Sequence, residues 1–133
     1  NTINASTPGI WTASGGATCP PTSTFTGNVI IDIGGDDTFV WDYALNMTGD
    51  MTITLANGGV MEFDADVNVT GNIPVTNSGA SATLIVNSGA DVHVIAGVNG
   101  DMGDPDNNNV DFVVDGTLVV DGTLSGKNSN GFS

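Results

Sequence analysis

The chain has almost no positive charge: one lysine and no arginine among 133 residues, against fifteen acidic side chains, for a formal net charge of −14. A surface of that sign repels nucleic-acid phosphates and anionic lipid headgroups, so neither is an expected partner. It attracts divalent cations and suits a salty, extracellular setting. There is a single cysteine, Cys19, which excludes an internal disulfide. Beside Pro20 and Pro21 it reads as a small packed residue. A single histidine, His93, leaves little for acid–base chemistry. No apolar run approaches the roughly 18 residues of a membrane-spanning helix, and no basic stretch followed by an apolar one opens the chain. The strong helix formers Glu, Lys and Arg are nearly missing.

What is present is glycine, 19 residues of it, with many Asn, Asp and Thr and an apolar set rich in Val and Ile. These are turn formers and strand formers. The apolar fraction of 39% is too high for a disordered chain. An all-β domain with many tight turns is expected.

The turns repeat. FTGNV, MTGDM and VTGNI place Gly27, Gly49 and Gly71 at intervals of 22 residues. Counted on, the series continues to Gly100 and Gly126 with longer intervals. Between the glycines, every second residue is apolar and matches one repeat later: Phe39 with Met61, Trp41 with Phe63, Leu45 with Val67, Met47 with Val69. That is strand periodicity with one buried face. The intervening positions, among them Asp42/Asp64 and Asn46/Asn68, are mostly polar and face solvent. A second turn is expected in each coil at Gly34 and Gly35, Gly58 and Gly59, Ser88 and Gly89, and Asp115 and Gly116.

Apolar columns matched at a fixed period in the twenties indicate a β-solenoid. A β-sandwich would also show short strands and turns but does not require matched columns. The expected fold is a right-handed parallel β-helix with coils of about 22 residues over 25–133. Residues 1–24 break the repeat and form an N-terminal cap, with Trp11 covering the first coil. The solenoid is expected to continue beyond residue 133.

Trp11 with its Gly-rich sequel, the Pro20–Pro21 pair and NVIIDIGGDDTF resemble the opening of solenoids in large secreted surface adhesins of Bacteroidota. TLIVNSGADVHVIAG and FVVDGTLVVDGTLSG are similar to their coils. The resemblance implies export by the type IX secretion route, a cell-surface location and a non-enzymatic structural or adhesive role. The implied partners are neighbouring coils, further copies of the chain, surface glycans or cell-envelope components. A self-assembling extracellular filament or sheath subunit is the alternative, and a carbohydrate-active β-helix enzyme a third reading, since paired carboxylates can cleave glycosides.

Two places could hold Ca²⁺. In DMGDPDNNNVD, Asp104, Asp106 and Asn108 are spaced i, i+2, i+4, and Asp115 stands where a calcium loop puts its last ligand. Asn109 and Asp111 depart from that pattern. Asp42 and Asp64 stack on one exposed column with Asp66 beside them, where a cation would relieve their repulsion. His93 alternates with Val92 and Val94 and points outward, with no sign of a catalytic triad. Asn4, Asn46 and Asn68 head N-x-Ser/Thr sequons. The exposed threonines are too few for an ice-binding array. Both stretches that lengthen the repeat, 75–83 and 101–111, are expected on one side, which would mark a binding face.

Overall fold

A computed structural model describes residues 1–13, 20–78, 81–100 and 109–124. They form a parallel β-solenoid of about four turns, with no helix among them. The first coil holds β1 (Thr2–Asn4), β2 (Thr24–Thr26) and β3 (Val29–Ile33). The second holds β4 (Thr38–Trp41), β5 (Leu45–Thr48) and β6 (Met51–Leu55). The third holds β7 (Val60–Phe63), β8 (Val67–Val69) and β9 (Asn72–Asn77). The fourth holds β10 (Ser81–Val86), β11 (Asp91–Val94) and β12 (Gly97–Gly100). Strands β13 (Asn109–Val114), β14 (Thr117–Val120) and β15 (Thr123–Leu124) open one more coil. Every third strand stacks, giving three five-stranded parallel sheets: β1-β4-β7-β10-β13, β2-β5-β8-β11-β14 and β3-β6-β9-β12-β15.

Alternation of side chains explains the core. Within β3, β6 and β10 every second residue is buried, and the buried positions line up from coil to coil. Phe39 pairs with Met61, Trp41 with Phe63, Leu45 with Val67 and Met47 with Val69, as the matched columns predict. Each such residue, fully enclosed, stabilises the stack by about 1.5–3 kcal/mol relative to an exposed one. One inward position is polar: Asn77, buried, continues the column of Ile33 and Leu55.

The register corrects the glycine count beyond Gly71. Met47 lies 22 residues from its partner Val69, but Val69 lies 25 from Val94 and Val94 lies 26 from Val120. On the first sheet the partners Phe63 and Val86 are 23 apart, and Val86 and Val114 are 28 apart. The corner held by Gly71 is therefore taken next by Ala96, whose amide donates to Gly71 O, and then by Gly122. Gly100 pairs with Val75 inside the third sheet, and Gly126 lies outside the described residues. Val98 accordingly continues the column of Ile73, not that of Val69. The apolar columns set the register, and the extra residues are absorbed in the turns.

The expected second turn also resolves into two different corners. Gly34, Gly35, Gly58 and Gly59 lie between the third and first sheets, where Gly59 N donates to Ala56 O. Ser88, Gly89, Asp115 and Gly116 lie between the first and second sheets, where Ala90 N donates to Asn87 O. Of the two stretches expected to lengthen the repeat on one side, 75–77, 81–83 and 109–111 are strand residues of β9, β10 and β13, and 79–80 and 101–108 lie outside the described residues.

The glycine of the repeated turn is required by close approach. Gly49 has φ 137° and a Cβ there would lie 2.1 Å from Gly27 O. The residue after it is equally specific. Asn28 Oδ1 accepts from Asp50 N at 3.0 Å, and Asp50 Oδ1 accepts from Asn72 N at 2.7 Å. Each turn thus caps the next with a short polar side chain.

The two ends differ. At the first, β1 adds to β4, and Trp11 packs on Phe39 and Trp41 with its indole N–H on Ala5 O at 2.8 Å. Tyr43 Oη donates to Pro21 O at 2.6 Å. Toward the last described coil two inward columns become half-exposed: Val114 is 43% and Leu124 45% exposed, against 0% for Val86 and 2% for Val98 one coil earlier, while Val110 stays buried.

Candidate functional site

Of the residues singled out for Ca²⁺, Asp104, Asp106 and Asn108 lie outside the described residues. Asp115 stands exposed in the turn after β13, its amide donating to Val86 O at 2.8 Å. Asp42 and Asp64 follow the paired residues Trp41 and Phe63. Each meets a protein donor. Ser6 gives its amide to Asp42 Oδ1 at 2.9 Å and its hydroxyl to Asp42 Oδ2 at 2.5 Å. Asn87 Nδ2 donates to Asp64 Oδ1 and, at 2.6 Å, to Glu62 Oε1. Asp66 Oδ1 accepts from Asp91 N at 3.0 Å. These carboxylates stitch one coil to the next at the corner between the first and second sheets. Among the described residues, no three His, Cys, Asp or Glu side chains converge as a metal ligand set.

The outer face of the second sheet offers a different arrangement. Its register stacks Thr24, Asn46, Asn68, His93 and Val119 in one outward column. Asn46 and Asn68 face outward because they alternate with Leu45, Met47, Val67 and Val69, all buried. A groove of about 270 Å³ runs over this column, flanked by Ser23, Asp66 and Asp91. His93 closes it, with Nε2 2.7 Å from Asp121 Oδ2 and its side chain 39% exposed. That pair holds the imidazole in place on an open surface.

The Asn46/Asn68 column is visible in the repeat itself. The arrival of His93 above it is not, because the interval from Asn68 to His93 is 25 residues.

Tyr43, at the edge between the first and second sheets, has its phenol pushed up to about 12, first by burial and then by the charge of Asp42. It stays neutral and anchors Pro21.

No family model matches the chain, and neither a curated protein nor a solved structure matches it significantly.

Proposed function

We propose that the chain is a rigid β-solenoid segment of an extracellular cell-surface protein, with a structural and adhesive role. The observation that carries this reading is the uninterrupted parallel ladder: three sheets, each with five registered strands, enclosing one apolar interior. Such a rod keeps its outward columns at fixed spacing, which suits presentation of a repeated surface. A net charge of −14 supports solubility in a salty exterior and disfavours nucleic acid and anionic membranes. Surface glycans or cell-envelope components are the proposed partners, and Ca²⁺ at 104–115 the proposed ion. An antibody against the chain should label intact, non-permeabilised cells of the source organism; labelling only after permeabilisation contradicts the assignment. Binding of the labelled chain to a glycan array and to cell-envelope preparations, with and without EDTA, tests adhesion and the Ca²⁺ requirement together.

A second reading is a subunit that stacks end to end into a filament. The half-exposed inward columns Val114 and Leu124 favour it, since a further parallel coil would bury them. Negative-stain images of the purified chain separate single rods from filaments.

A further inference from the structure

We infer that the groove on the outer face of the second sheet, floored by Asn46 and Asn68 and closed by His93, binds a neutral oligosaccharide lying along the solenoid axis. The inference rests on the adhesive reading above and gives it a place and a ligand class.

The fold already uses many of its polar side chains. Asn28 and Asp50 cap the next coil's turn. Asn57 Oδ1 accepts from Ser81 N at 3.2 Å. Asn87 spans Glu62 and Asp64. Asp42 is engaged by Ser6. The side-chain amides of Asn46 and Asn68 have no such partner among the described residues, although the register holds them on adjacent rungs of one column. Each carries two N–H donors and a carbonyl acceptor. The rungs are about 4.8 Å apart, so the Asn46–Asn68–His93 column presents polar groups at even steps over about 9.6 Å.

The ligand class follows by chemistry. A hydroxyl both donates and accepts, and an amide does both in return, so a chain rich in hydroxyls can use both functions of each rung. Asp66 and Asp91 flank the groove and repel anionic sugars and phosphates. A peptide adding as a strand needs a free sheet edge, and this groove lies on the face of β5, β8 and β11, all paired on both sides. The backbone beneath is fixed by buried Leu45, Met47, Val67 and Val69, so the amides need little ordering on binding.

The test is a titration of the isotopically labelled chain by heteronuclear NMR with cellohexaose, mannohexaose and chitohexaose, and a heparin hexasaccharide as the anionic control. The expected result is a saturable shift of the Asn46 and Asn68 side-chain amides and the His93 ring with at least one neutral probe. The Asn28, Asn57 and Asn87 side-chain amides should stay in place, and heparin should move nothing in the groove. The double variant Asn46→Ala, Asn68→Ala should weaken that binding by about tenfold or more, as loss of two neutral hydrogen bonds implies. Thr52→Ala, on the third sheet, should not. Saturable binding that maps elsewhere, or that survives the double variant, overturns the groove while leaving the adhesive reading standing. Envelope binding by the intact chain with no response to any neutral probe overturns the ligand class. Absence of binding in both assays overturns the groove and the adhesive reading together. The folded state of each variant is checked in the same spectra by the resonances of Met47 and Val69.

Discussion

Trp11 stands edge-on to Trp41, their ring centres 5.8 Å apart and their planes at 69°, although thirty positions of chain separate them. With Phe39 and Tyr43 they form an aromatic cluster over the first coils. Trp41 is fully buried and its indole N–H has no acceptor, so the cluster is held by packing and ring geometry. Trp11→Ala should lower the unfolding free energy by roughly 2–4 kcal/mol, by cavity formation and loss of the bond to Ala5 O. Denaturant unfolding followed by Trp41 fluorescence checks this; a change below about 0.5 kcal/mol, the size of an ordinary surface substitution, would show that the N-terminal segment does not cover the solenoid.

The polar residue after the repeated glycine should behave as an inter-coil cap. Asp50→Ala leaves Asn72 N without its acceptor and should cost about 1 kcal/mol, while Asp50→Asn keeps an acceptor oxygen and should cost little. Equal losses in the two variants would assign the residue a charge effect instead.

Gly49→Ala combines a left-handed backbone with direct overlap on Gly27 O. A loss of about 3 kcal/mol or more is expected from strain and coil separation. Thermal unfolding compared with Thr52→Ala, on the adjoining sheet, measures it. A variant as stable as the parent would mean that the coils are not in contact at this corner.

Tyr43 carries the alkaline limb of stability. Its ordinary value is 10.0 and its folded value about 12, so the neutral phenol is favoured by folding. That contribution is complete below pH 10, falls as pH rises toward 12, and is exhausted above it. The parent should therefore lose stability across this window more steeply than Tyr43→Phe, which lacks the titrating group. At neutral pH the same variant should be less stable by about 1 kcal/mol through loss of the bond to Pro21 O. Parallel pH dependences of parent and variant would contradict the burial of the phenol.

The columns through Phe39 and Met61 or Leu45 and Val67 were legible because burial on one face imposes strict alternation, and stacking repeats it at one interval. Corners were less legible. Glycine marks tight turns of several kinds, so Gly58 and Gly89 look equivalent in sequence yet occupy different corners. Ala96 also fills a place that Gly71 and Gly122 hold in neighbouring coils. The cap role of Asn28 and Asp50 depends on a backbone amide one coil away, which local pattern cannot show. The groove shares this limit: Asn46 and Asn68 repeat, but His93 joins them only once the lengthened turn at 87–90 is absorbed.

Everything proposed for the second sheet depends on that register, and interstrand NOEs in the unmodified chain measure it directly. The stacked column requires backbone contacts of Asn68 with both Asn46 and His93, and of Val67 with Val92. Contacts that instead place His93 beside Asp64, the register obtained by counting from Gly71 to Gly100, would contradict the stacked column and the groove built on it.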